Sequence, residues 1–376
     1  MTRIGSILRG AVIVVCSQCL IANADPNWNA LPYTSHSAFQ AVDADGAGTF
    51  PLDNPVKMRG IIINRADQML NPTPDLPSFF GGQWQQFIQA VDTGDFGGTA
   101  LFMAQRYSDL PFEPPDDHYS AAQWLAELNR IEHDPATGHT FHPGDLIEVR
   151  ARAPGLFFEG KTNINEQHNV DPAVNFDVVL LAADCGIPLP TVFTLSDVKD
   201  ASDHFIFDQT RATGAEHLQG AYLRLNHVTF QSTTNWGPDA FLTAQDGTGR
   251  TLVVHLGLGT GFTSFPAPTG AVDLIGILDQ ESPDPGPYTG DYQLWIMDYN
   301  GNGHVVPQEP SLPGDLNGDG AVNGADIAPF LTALLNRDAF ETLYPAGNAQ
   351  AGNLDGQCGI TLLDVPPFVV LLLNQH

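Results

Sequence analysis

The chain has 376 residues, with 43 Asp and Glu against 15 Lys and Arg, a net charge of −28. That length provides for two or three domains. So acidic a surface repels phosphate backbones, which argues against nucleic acid as a partner, and it suits divalent cations instead. Residues 1–24 read as a signal peptide. Arg3 and Arg9 precede an apolar run from Gly10 to Ile21, and Ala22-Asn23-Ala24 gives a small-x-small cleavage pattern. The run is too short for a permanent membrane helix, so the expectation is a secreted, extracellular or cell-surface protein with no membrane span in its mature form. Beyond the leader two cysteines remain, Cys185 and Cys358. They could pair in an oxidising compartment, but they fall in segments read as different domains, and two cysteines make no disulfide framework. Residues 25–54 are polar and irregular. Asp43 and Asp45 in DADGAG read as a turn, since no acid closes a cation loop there.

From residue 55 the chain reads as β-structure. VKMRGIIIN, QWQQFIQAV, GTALFMAQ, DLIEVRARA and LFFEGKTNIN are short runs rich in β-branched and aromatic residues, separated by Gly or Pro. Between the third and fourth lies a helical insert from Tyr119 to His133, with Asp116-Asp117 as caps and Trp124, Leu125, Leu128 and Ile131 on one face. A second set follows GIPLPTVF: GAYLRLNHVTF, AFLTAQD, RTLVVHLG, GAVDLIGILDQ and DYQLWIMD, with DGTG as the hairpin between its second and third members. Five strands per set, with a helix after the third strand of the first, is the layout of a small Greek-key barrel. On these runs and on LQGAYLRLNHVTF followed by DGTGRT, the chain resembles tandem OB-fold-like modules of secreted bacterial proteins. The resemblance implies one such module over 55–186 and a second over 187–300. An OB-like fold names no ligand by itself.

After a linker at 301–313, GDLNGDGAVNGAD concentrates acids and amides in a 12-position loop from Asp315 to Asp326. Ca²⁺ is a hard cation taking six to eight oxygens, and such a loop provides them from positions 1, 3, 5, 7, 9 and 12. Here these are Asp315, Asn317, Asp319, the carbonyl of Ala321, Asn323 and Asp326, with Gly320 at the sharp turn of position 6. Ile327, Phe330, Leu331, Leu334 and Leu335 then have the spacing of a buried helix stripe. The pattern recurs 38 residues later as Val365, Phe368, Val369, Leu372 and Leu373, with the closing acid at Asp364. The second loop would use Asn353, Asp355, Gln357, the Gly359 carbonyl and Asp364. Cys358 stands there in place of the turn glycine, so weaker Ca²⁺ binding is expected. A third stretch, Asp298 to Glu309, matches the calcium-loop pattern with Asp298, Asn300, Asn302 and Glu309. A strand precedes it and Pro307 interrupts it, which favours an interdomain turn.

The duplicated loop-helix unit at 314–376 resembles a type I dockerin. That resemblance implies a small α-helical, Ca²⁺-binding domain of paired EF-hand-type loops. It also implies a cohesin-like or other extracellular or cell-surface partner, met through loop positions 10 and 11. In this chain those positions are Gly324 and Ala325, then Leu362 and Leu363. The expected fold class is therefore mainly β, two tandem OB-like barrels plus the dockerin-like domain.

Catalytic signatures are weak. His118, His133, His139 and His142 cluster in sequence without an H-E-x-x-H pattern and read as loop histidines. GLGTGF at 257–262 lacks the Lys-Ser/Thr ending of a phosphate loop, and no G-x-S-x-G occurs. Acids are too numerous for any pair to stand out as glycosidase carboxylates. Trp84, Trp236, Trp295, Phe157 and Phe158 are core residues or a stacking platform for sugars or bases. The expected function is a non-catalytic exported binding and attachment protein, with polysaccharide as one possible ligand. The alternative is a polysaccharide-degrading or other secreted hydrolase carrying a dockerin.

Overall fold

The computed structural model describes residues 26–374 apart from 53, 79, 108–117, 154, 167–169, 171–174, 284, 307–311 and 345–346. The predicted signal peptide, Glu309, and the Asp116-Asp117 pair expected to cap the insert helix lie outside the described residues. A short helix α1 (His36–Phe39) precedes the first sheet. That sheet takes β1 (Val56–Ile62), β2 (Gln83–Gln89), β3 (Gly98–Ala104), β4 (Leu146–Ala151) and β7 (Asp177–Ala182), antiparallel throughout in the order β3-β2-β1-β4-β7. Helix α2 (Ala121–Ile131) crosses between β3 and β4.

Two expectations change here. LFFEGKTNIN is not the fifth sheet strand but a separate hairpin, β5 (Leu156–Phe158) and β6 (Lys161–Asn163). Its turn residues Glu159 (φ 50°) and Gly160 (φ 103°) both take positive φ, as a two-residue hairpin turn requires. Beyond β6, Ile164 bridges Leu101 of β3 in parallel, at the edge opposite β7. The helix is capped by Ser120, whose Oγ accepts from the Gln123 N–H while the Gln123 side chain reaches back, a capping box. Trp124, Leu128 and Ile131 are buried as expected, but Leu125 is 53% exposed.

The second unit comprises β8 (Thr191–Phe193), α3 (Leu195–Val198), α4 (Gly214–Leu218), β9 (Tyr222–Phe230), β10 (Phe241–Gln245), β11 (Thr251–Leu256), α5 (Gly261–Ser264), β12 (Val272–Gln280), β13 (Tyr292–Ile296) and β14 (Val305–Val306). Strands pair β9-β10-β11-β13-β12 and β12 returns to β9, so five strands close into a barrel. Only the β11–β13 contact within that ring is parallel. Edge strands β8 and β14 extend it, and β14 lies within the expected linker.

The two β units share a hydrophobic seam. Ile61, Ile63, Phe87 and Ala100 of the first meet Ile277, Trp295 and Met297 of the second. Met58, Ile62, Trp84 and Ile88 fill the interior of the first unit instead. Strand β1 is therefore apolar on both faces, and its Ile-Ile-Ile run shows no alternation. At the seam Gly98 and Gly220 meet backbone to backbone. A Cβ on Gly98 would lie 2.2 Å from the Gly220 carbonyl oxygen, so neither tolerates a side chain. Lys161, 6% exposed, crosses the seam to Asp279 at 2.6 Å.

In the C-terminal unit, α6 (Ile327–Leu335), α7 (Arg337–Leu343) and α8 (Val365–Leu373) surround Leu316, Phe330, Phe340, Ala349 and Phe368. Phe330 and Phe368, equivalent positions of the 38-residue repeat, stack with centroids 4.2 Å apart and planes 5° from parallel. The expected apolar stripes are buried only at their centres. Ile327, Leu331, Leu335, Val369 and Leu373 are 44–81% exposed. Helices of nine residues enclose one narrow core, and α7 and the connecting turns fill much of it.

Candidate functional site

The first acidic loop is folded around its own carboxylates. Asp315, 3% exposed, accepts from the backbone N–H groups of Gly318 (2.9 Å), Asp319 (3.2 Å) and Gly320 (2.9 Å). Gly318 (φ 74°) and Gly320 (φ 84°) supply the left-handed turns that aim those donors inward. Asp326, fully buried, accepts from Leu316 and Asn317 through one oxygen and from Asn323 through the other. Asn317 and Asp319 take part in short turns, and Asn317 Nδ2 donates to Asp319 at 2.9 Å. The donor set consists of hard oxygens. Backbone N–H groups stabilise the buried charges of Asp315 and Asp326 without neutralising them. Among the described residues no three His, Cys, Asp or Glu side chains converge on a common point.

The second loop repeats half of this architecture. Asp364 accepts from Leu354, Asp355 and Thr361, the same positions that serve Asp326. Position 1 differs. Asn353 Nδ2 donates to the carbonyls of Gln357 (2.6 Å) and Asp184 (3.2 Å), while its Oδ1 is buried with no partner among the described residues. Positive φ falls at Gly356 and Gly359 rather than at position 6. Cys358 at that position forms a disulfide with Cys185, which settles the pairing left open by the sequence. The Gly359 N–H donates to the Asp184 carbonyl, and Arg337 pairs with the Asp184 carboxylate at 2.6 Å. Burial pushes that carboxyl up, against the lowering pull of Arg337. The second loop thus fastens the helical unit to the first β unit.

In the third stretch, Asp298 accepts from Gly261 and Tyr299, and Asn300 and Asn302 each close a local turn. Their oxygens serve separate backbone donors. Of the histidines, His139 and His142 lie edge to face with centroids 5.6 Å apart, and their side chains turn to different acids. His133 meets the Asn129 carbonyl, His139 the Asp145 carboxylate at 2.8 Å, and His142 faces Glu341 and Asp338 of α7.

The predicted aromatics divide into two groups. Trp84 is buried in the interior of the first unit, and Trp236, partly buried, packs against the core of the second. Trp295, Phe157 and Phe158 line a cavity of about 410 Å³ at the seam, together with Phe102 and the amides Gln83, Gln85, Asn163 and Asn165. The amides went unremarked in the sequence. Their signal is the odd-numbered face of QWQQFIQ, where Gln83 and Gln85 precede Phe87 on the side turned toward the second unit.

What the fold defines is a mainly β protein with one closed five-strand barrel, consistent with OB-like barrels. No family model matches the chain, and no curated protein matches it. Among solved structures, a replication protein A heterotrimer bound to single-stranded DNA aligns at 8% identity and a TM-score of 0.24. That alignment spans 69% of this chain and 58% of the other. A score so low carries no argument about fold or ligand.

Proposed function

We propose that this is an exported, non-catalytic binding protein. In this reading two OB-like β units form its body, and a calcium-stabilised, dockerin-like unit at 314–376 attaches it to a cohesin-like or other extracellular or cell-surface protein. The observation that carries the reading is the Asp315 cradle, a buried carboxylate ringed by three inward N–H groups in a loop of oxygen donors. Asp315, Asn317, Asp319, the Ala321 carbonyl, Asn323 and Asp326 would hold the ion. Bound there, Ca²⁺ supplies charge neutralisation that the N–H groups cannot. The ring order of the second unit, with its lone parallel contact and α5 after the third ring strand, supports the OB-like assignment. The Cys185–Cys358 bond suits an oxidising compartment and so supports export. Leu362 and Leu363, at positions 10 and 11 of the second loop, are 77% and 69% exposed and give an attachment partner an apolar contact.

Thermal melting of the purified full chain tests the reading. Calcium in large excess over its Kd stabilises the bound form by about 2–3 kcal/mol. The transition of the C-terminal unit should therefore rise by several degrees. Asp315→Ala combined with Asp319→Ala should abolish most of the rise. An equal rise in the double variant would place the ion elsewhere.

A further inference from the structure

The seam cavity is built from both β units. Gln83, Gln85, Phe102, Asn163 and Asn165 come from the first with its hairpin, and Trp295 and Glu281 from the second. Its volume of about 410 Å³ lies within the range of small-molecule sites, roughly 300–1,000 Å³. Its polar lining is a set of side-chain amides, Gln83, Gln85 and Asn163 among them, beside the rings of Phe102, Phe157, Phe158 and Trp295.

The chemistry of the lining narrows what that is. Each amide carries both donors and an acceptor, and a hydroxyl group answers both kinds. Phe102, Phe157 and Phe158 provide apolar faces for a ring. The charge present is already committed, since Lys161 is bonded to Asp279 at 2.6 Å and to the Gln280 carbonyl at 3.0 Å. Glu281, 3.9 Å from the same ammonium, adds negative charge that turns phosphates away. We infer that the seam cavity binds an uncharged saccharide, a mono- or disaccharide unit whose apolar ring face stacks on the phenylalanines while its hydroxyls pair with the lining amides of Gln83, Gln85 and Asn163. The inference names the ligand of the β body and so rests on the non-catalytic binding reading. It is independent of the calcium loop.

Trp295 provides the readout. Cellobiose, xylobiose, maltose and N,N′-diacetylchitobiose are titrated separately at millimolar concentration into the full chain, with tryptophan emission and calorimetry recorded. Adenosine and a short oligothymidylate form a second arm. At least one disaccharide should bind saturably, and neither nucleic-acid probe should. Phe158→Ala removes a ring that is 45% exposed, so the variant keeps its fold and should lose about tenfold in affinity, equivalent to 1.4 kcal/mol. Gln85→Leu should lose at least as much, its folding checked by circular dichroism. Calcium uptake should be unchanged in both variants. No saturable binding of any of the four sugars, tighter binding of a nucleic-acid probe, or undiminished affinity in Phe158→Ala would each overturn the assignment. A lost calcium response with sugar binding intact would fail the attachment reading alone.

Discussion

Lys161→Met is expected to destabilise the chain by about 3–5 kcal/mol, because removing one partner of a buried pair strands the other charge. Lys161 and Asp279 are 6% and 0% exposed and lie 2.6 Å apart. The bond is to Asp279 Oδ2, and Oδ1 has no hydrogen-bond partner among the described residues. A methionine keeps most of the stem volume, so the loss reports charge rather than a hole. Lys161→Met combined with Asp279→Leu should recover most of the stability, since a buried pair replaced by apolar groups is often neutral. Urea unfolding of the three chains measures this. If the single variant matched the parent, the ion pair would be incidental to the seam. If the double variant were no better than the single one, packing rather than stranded charge would explain the loss.

Glu166→Gln should change the pH profile of stability. Glu166 is fully buried, and burial pushes its carboxyl up to about 8 while Tyr107 donates a hydrogen bond to it. A folded value above the unfolded one means the native state holds the proton longer. Its contribution is complete below about pH 4.5 and is lost as pH rises toward 8. Over that window the loss amounts to something on the order of 4 kcal/mol. Glutamine carries no such proton. The variant should therefore match the parent near pH 4.5 and exceed it at pH 8, measured by denaturant unfolding at both values. Comparing variant with parent cancels the other raised carboxyls, such as Glu132, Glu216 and Asp279. Parallel profiles for the two chains would contradict the assignment.

Much of the β architecture was legible because glycine and proline punctuate it. All five ring strands of the second unit fall within runs that Gly, Pro or Asp-Gly turns delimit. Strand β7 was not legible, since FDVVLLAA has no alternation to separate a strand from any other apolar stretch. The apolar helices misled in another way. Periodicity marks a face, but Leu335 and Leu373 lie past the end of a core that Phe330 and Phe368 already close. The disulfide depends on a contact between residues 173 apart in sequence, which local pattern does not encode. Its one local trace was Cys358 itself, standing where a calcium loop needs glycine. The seam cavity was half visible: its aromatics drew notice, whereas its amides look like ordinary polar strand residues until a second unit covers them.

The central claim, that the first acidic loop takes up calcium, is tested most directly by isothermal titration of Ca²⁺ into the chelator-treated full chain. One dominant site is predicted, lost when Asp315 and Asp319 are both replaced by alanine. No heat of binding at millimolar calcium, or the same binding in the double variant, would contradict it.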